Sequence, residues 1–290
     1  MGDPLIWRRL IPLVLQLPAI SSWPRVLANT RSNMIIQRFF PRALFLIAAL
    51  FLSPILRAAD VSAQKPSDVK VAPNENALET AANLKAKIPA RDPAAKPGMV
   101  DLTAYYNAVL TETWHPGNHI SLERRNDLSS MPRGLQKFDG IEFDVRGLIQ
   151  LLGRGPKGWG GVFPEQVEGI KIGKSAKVLH FLHGTGYQAK DGTTIGYYVV
   201  NYVSGPERKI PIIYGKDVRD WWYWQNEPQK ADRSKIAWTG NNEASEKAGM
   251  SLRIYSSSWK NPQPDDEIKS IDYVTTMAMP APFLIAITLE

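Results

Sequence analysis

After residue 99 the chain is a succession of short apolar or alternating runs, each closed by Gly, Pro, Asp or Asn. No other feature constrains the fold as strongly. Ile141 to Arg146 alternates apolar and polar residues, the pattern of a strand with one buried face. Val178 to His183 reads as a strand buried on both faces. Thr194 to Tyr202 is another strand, and Asp191-Gly192 before it suits a tight turn. Lys209 to Tyr214, Ser251 to Tyr255, Ile268 to Val274 and Phe283 to Leu289 complete the set. Helical periods are almost absent from this stretch. Many short strands between turn residues predict one all-β sandwich or barrel over residues 99–290.

What precedes that stretch reads as targeting and tether. From Met34, Arg38 and Arg42 form a basic region, and Ala43 to Leu52 is an unbroken apolar run. Ser53-Pro54 interrupts the run, and small residues follow. This is the anatomy of a secretory signal peptide over 34–63, cut after Ala63 with Val61 and Ala63 at the two small-residue sites. The apolar run is shorter than the roughly 20 residues a spanning helix needs, so membrane contact is expected through the leader alone. Residues 1–33 do not fit the scheme, because Pro12 and Pro18 break their apolar stretch. They are read as an upstream extension that is not native, with Met34 as the start. Residues 64–98 are rich in Ala, Lys, Pro and Asp and read as a flexible linker. Within it, Glu75 to Lys87 has the composition of a short helix, stopped by Pro89, Pro93 and Pro97.

Charge sharpens this division. The net charge of +7 suggests a polyanion partner until it is divided along the chain. Residues 1–59 hold seven Arg and one acid, so the remainder is nearly neutral. The body has no field to attract nucleic acid. The chain contains no cysteine, which excludes disulfides, thiolate nucleophiles and Cys-ligated zinc. The expected location is therefore secreted or periplasmic, in a bacterial envelope.

Leu135-Gln-Lys-Phe-Asp-Gly-Ile-Glu-Phe-Asp-Val145 resembles the phrase that opens a core strand in galactose-binding-like jelly rolls. Ile268-Lys-Ser-Ile-Asp-Tyr-Val274 and Ala281-Pro-Phe-Leu-Ile-Ala-Ile-Thr288 resemble the closing strand pair of that fold. Residues 99–290 as a whole are similar to the NPCBM-like group of carbohydrate-binding modules and to exported bacterial proteins with the same order of phrases. The resemblance implies a jelly-roll β-sandwich that binds carbohydrate without catalysis. It implies fold more directly than ligand, because function resides in a site and not in a fold.

The aromatic run Trp221, Trp222, Tyr223 and Trp224 lies between Lys216-Asp217 and Asn226-Glu227. Sugars present flat CH faces, so Trp rings make stacking platforms while Asp217 and Asn226 take hydroxyls. Two partly covered rings would contribute about 3–4 kcal/mol, which corresponds to millimolar binding. Adjacent residues cannot all face one way, so at least one Trp should belong to the core. Trp114 and Trp159, in loops with His115-Pro-Gly-Asn-His119 and Gly160-Gly161, are further candidates for the rim of a ligand site.

Other constellations point to less. His180 and His183 are three apart on a strand and face opposite ways, so they cannot share a metal ion. Glu142 and Asp144 lie about 6–7 Å apart on one face, within the range of glycosidase pairs. Arg146 continues that face, which makes a solvated charge ladder the simpler reading. Gly153 to Gly158 satisfies G-x-G-x-x-G but has no following helix to hold a pyrophosphate, and is expected to be a loop. His183-Gly-Thr-Gly186 lacks a G-x-S-x-G partner. No D-x-D-x-D-G loop is written for calcium, so no cofactor is indicated. The expectation is a non-catalytic module whose partner is a carbohydrate or, alternatively, an envelope protein.

Overall fold

In a computed structural model of the protein, which describes residues 83–115, 124–158 and 162–290, strands dominate. They are β1 (Ala108–Val109), β2 (Gly134–Phe138), β3 (Ile141–Val145), β4 (Gly147–Gln150), β5 (Gln166–Lys174), β6 (Val178–Gly186) and β7 (Thr194–Tyr202). After these come β8 (Glu207–Ile213), β9 (Trp222–Tyr223), β10 (Ser234–Gly240), β11 (Ser251–Lys260), β12 (Ile268–Thr275) and β13 (Ala281–Leu289). Two single-turn helices, α1 (Arg154–Gly158) and α2 (Glu243–Lys247), interrupt them. The upstream extension, the signal peptide, most of the linker, and Trp159 lie outside the described residues.

The chain is all-β, with antiparallel pairing throughout its named ladders. The larger sheet runs β1-β4-β13-β6-β11-β10, with β9 pairing β11. The smaller runs β5-β12-β7-β8, and β2 with β3 forms a separate hairpin. Strand side chains alternate between faces, and in the larger sheet both faces are buried. Leu179 and Phe181 of β6, Ile149 of β4 and Leu284 of β13 join Ile195, Tyr198, Ile212, Ile271 and Tyr273 of the smaller sheet in one core. Leu182, Leu148, Ile254 and Phe283 face the other way, into a second core closed by Phe138, Phe143 and Val145 of the hairpin and by Leu128, Met131 and Trp221. Hence β6 is buried along nearly its whole length although its ladders are antiparallel. The hairpin closes at Asp139-Gly140, both at positive φ (49° and 85°), as a two-residue turn matched to strand twist requires.

Sheet pairing also fixes which loops meet. Gln150 pairs with Phe283, Val274 with Gln166, and Thr194 with Ile213. The turns after β4, β6, β8 and β12 therefore leave from one end of the stacked sheets.

Three sequence expectations need correction. The solvated ladder is not solvated: the side chains of Asp144 and Arg146 are 2% and 1% exposed. Arg146 Nε donates to both Asp144 oxygens, at 3.0 and 2.9 Å, and its Nη2 to Asp101 at 2.7 Å. Arg91 Nη1 reaches Asp144 at 3.2 Å. A segment distant in sequence covers these charges, which strand periodicity cannot reveal. Second, residues 83–98 are part of the folded body and not free tether. Ile88 is buried in the inter-sheet core, and Leu289 N–H donates to Gly98 O at 2.8 Å. Third, G-x-G-x-x-G is itself the helical turn α1, tucked so closely that a Cβ on Gly155 would stand 2.8 Å from the Tyr187 ring.

Candidate functional site

The aromatic run parts along the strand period. Trp221 and Tyr223 are buried, at 2% and 4% exposure, Trp222 is half-buried, and Trp224 keeps 45% of its surface in water. The reason is β9, which pairs Trp222 with Leu252 and Tyr223 with Ser251 and so turns alternate side chains inward. Trp221 N–H donates to Thr185 O at 2.8 Å. Its ring meets Trp114 at 5.0 Å and Phe283 edge-on at 6.0 Å. Trp114 is pinned through Nε1 to Gln150 Oε1 at 3.0 Å, and Trp222 through Nε1 to Asn126 Oδ1 at 3.1 Å. The structure thus brings Trp114, Trp221 and Trp222 together as a floor. Trp224 and Asn226 are exposed, on the loop after β9.

Arg253 organises this loop from below. Its side chain is 1% exposed and lies 4.7 Å from the Tyr223 ring centroid. It donates to Asp220 O and Pro228 O, at 2.9 and 3.0 Å, and stands 3.8 Å from Glu227. Burial pushes the Asp220 carboxyl up to about 7, against the pull of the Trp222 N–H and of Arg253. The residue is half-buried, and desolvation of its carboxyl is the largest contribution to the shift. Across the same end lies Tyr187, at φ 64°, whose hydroxyl burial raises to about 12.

Asp217 is placed elsewhere. It is buried and accepts from Ile213 N–H at 2.7 Å and from Arg233 at 2.5 Å, so it fastens the base of the loop. It also borders a pocket of about 360 Å³ between the two sheets, lined from β6, β7, β8 and β11. Its inner end is made by Phe181, His183 and Tyr198, each at most 2% exposed. Exposed Arg233 and half-buried Ser257 and Trp259 also line it. His183 Nδ1 lies 3.0 Å from Tyr198 Oη, while Nε2 is buried with no hydrogen-bond partner among the described residues. Burial lowers the His183 imidazole to about 3, so it is neutral. Their spacing on one strand shows only that the two histidines face opposite ways. His180 does face the other way, toward Ser258 and Glu290. The available signal for the pocket was a histidine inside a run apolar on both faces.

Among the described residues no three His, Asp or Glu side chains gather as metal ligands. The chain matches no protein-family model. Comparison with curated proteins gives no match either.

Proposed function

We propose that this chain is an exported, non-catalytic carbohydrate-binding module built on a galactose-binding-like jelly roll. Strand order supports the fold. Taken in chain order, β4–β8 and β11–β13 are eight strands that wind as first-eighth-third-sixth in one sheet and second-seventh-fourth-fifth in the other. Two sheets filled in that alternation are what paired Greek keys produce. Export rests on the leader at 34–63 and assigns the module to the bacterial envelope or the medium.

The observation that carries the binding function is Trp224. It is the exposed ring of the run, in a loop where Gln225 and Asn226 are exposed and Gln188 approaches Glu227 at 3.5 Å. A ring rimmed by amides and a carboxylate suits the apolar face and hydroxyl edge of a sugar. Its accessible part is about 110 Å², 45% of a Trp side chain of ~250 Å². Covered completely, that area contributes under about 3 kcal/mol, so one sugar binds more weakly than about 1 mM. Binding is expected to become measurable only on polymers, through repeated contacts.

Affinity electrophoresis of the chain in gels containing soluble polysaccharides, with peptidoglycan sedimentation beside it, tests this. Retardation or co-sedimentation that Trp224→Ala abolishes is the expected result. Migration unchanged across the panel, or a Trp224→Ala protein that behaves as wild type, removes the reading. A second reading is a protein-docking module, favoured by one fact. Val162, Met279 and Trp224, exposed by 92%, 48% and 45%, all sit on loops that leave the same end. Exposed apolar groups sharing one end of a fold are candidates for an interaction surface. Stoichiometric co-purification of an envelope protein, lost in Trp224→Ala, would replace the glycan by that partner.

A further inference from the structure

We infer that the pocket between the segment 91–105 and the edge strand β5 is a second binding site, which takes the anionic group, carboxylate or phosphate, of an acidic sugar residue. The inference rests on the glycan-binding reading above for its ligand class, but on different residues. The pocket has a volume of about 500 Å³. Met99, Val100, Ile172 and Leu289 give it apolar wall, and its polar side chains are Arg91, Asp101, Tyr105, Lys171 and Lys174. Tyr105 is already engaged by the backbone of β5: its hydroxyl donates to Gly169 O at 2.7 Å and accepts from Lys171 N–H at 3.0 Å. Asp101 accepts from Arg146 at 2.7 Å and from Thr103 N–H at 3.0 Å. What remains for an occupant is cationic.

The charges around the pocket do not balance. Arg91 and Arg146 face Asp101 and Asp144, two guanidiniums to two carboxylates. Lys171 and Lys174 add two ammoniums, and neither forms an ion pair among the described residues. Lys174 Nζ donates to Pro97 O and Arg91 Nη2 to Met99 O, both at 2.6 Å, so carbonyls of one segment hold the two cations at the pocket. The chain beyond its leader is nearly neutral, which makes this excess local. The lysines also share the pocket against strand geometry, because residues three apart on a regular strand face opposite ways. Gly173, at φ 63°, and a shifted register against β12 interrupt β5 between them, and both line the pocket. Such irregularities re-aim side chains at sheet edges and beside functional sites. A cleft of one sign with apolar walls concentrates its field on what enters. It repels a cation and leaves a neutral ring without a charged partner. An acid group on a small ring answers both features, with the acid on the ammoniums and a CH face against Ile172 and Leu289. The volume is within the ~300–1,000 Å³ of ligand pockets and admits one such residue.

The test uses the full chain, with trigalacturonate and glucose 6-phosphate as acidic probes and galactotriose as neutral control. The backbone amide signals of Lys171, Ile172 and Lys174 are followed by NMR at low salt. The expected result is a saturable shift with at least one acidic probe at millimolar concentration, and none with galactotriose. A response to one acidic probe alone identifies which acid the pocket takes. Lys171→Gln/Lys174→Gln should weaken binding about tenfold, and so should about 0.5 M NaCl, which screens exposed charges. Lys171→Gln alone, which removes no side-chain hydrogen bond of the fold, should weaken it about threefold. Trp224→Ala should leave it unchanged. Signals that stay still up to about 50 mM of both acidic probes refute the inference. So does an equal shift with galactotriose, or a shift that the double variant keeps in full. Polysaccharide retarded through Trp224 with these amides silent refutes it too, and leaves the loop platform standing. An acidic sugar bound in the pocket with no polysaccharide retarded upholds it, while the platform fails.

Discussion

Replacing Asp144 by Ala should destabilise the protein by about 3 kcal/mol, and the figure follows from what the carboxylate faces. Arg146 is buried with three hydrogen-bonding partners: Asp144, Asp101, and Pro89 O at 3.3 Å. Arg91, 27% exposed, is the second cation on Asp144. Without Asp144, two guanidiniums share one carboxylate, and that of Asp101 is 54% exposed. Breaking a buried pair by removing one member costs about 3–5 kcal/mol, since the remaining charge is desolvated and unopposed. Asp101 persists, so the low end applies. Glu142, two residues earlier on the same strand, provides the internal contrast. Its pair with Lys96 is exposed on both sides, and Glu142→Ala should leave stability close to that of the wild type. The double variant Asp144→Leu/Arg146→Met removes both buried charges and should recover most of the loss. Urea unfolding at neutral pH, compared at unchanged m-value, measures all three. A single-variant loss below about 1 kcal/mol, or a double variant as unstable as the single, would refute the claim that desolvation governs this site.

Three further outcomes separate structure from function. Trp221→Ala should cost about 3–5 kcal/mol of stability, as for a large core ring, whereas Trp224→Ala should change stability by no more than about 0.5 kcal/mol; thermal melts of the two variants decide this. Asp220 has a folded-state value near 7, raised above the ordinary 3.8 of an unfolded chain. Its contribution is therefore full below about pH 4 and lost as pH rises through about 7, so melting temperature should fall over that window in the wild type and stay flatter in Asp220→Asn. His183→Leu/Tyr198→Phe exchanges a half-met polar pair for apolar groups of similar shape and should be neutral or stabilising in urea unfolding.

Much of the fold was written locally, but not its layering. Seven strand positions were legible, because their apolar periods and turn residues suffice without distant contacts. β5 was not, and its glycines explain why. Gly169 and Gly173 take positive φ (69° and 63°), and the ladder to β12 shifts register twice, so no clean alternation survives. β10 was hidden by a similar shift between Ile236 and Trp238. The third layer escaped because a hairpin apolar on one face looks the same whether it caps a sheet or belongs to one. Asp144 and Arg146 were misjudged for a related reason: what buries them is the segment 83–106, and only folding brings it near. At the candidate site the alternation of Trp221 to Trp224 was readable in principle, since adjacent strand residues must diverge. The pairing of β9 with β11 was needed to say which of them point out.

Layering also determines where a ligand can reach. A sandwich with two free faces offers a broad concave surface, but here the larger sheet is covered by the smaller sheet on one side and by the hairpin and Trp221 on the other. What that sheet leaves open is its loop end and its edges. Two positions depart from the usual partition of apolar and polar groups. At the end, a tryptophan stays in water among residues whose neighbours are buried. Between the sheets, on the central strand β6, the His183 Nε2 is buried and unmet. A sequence that is locally consistent elsewhere breaks consistency where something other than stability is selected. The two departures differ in kind, one an exposed apolar ring and one a buried polar atom. Each alone would be a net cost to the folded state.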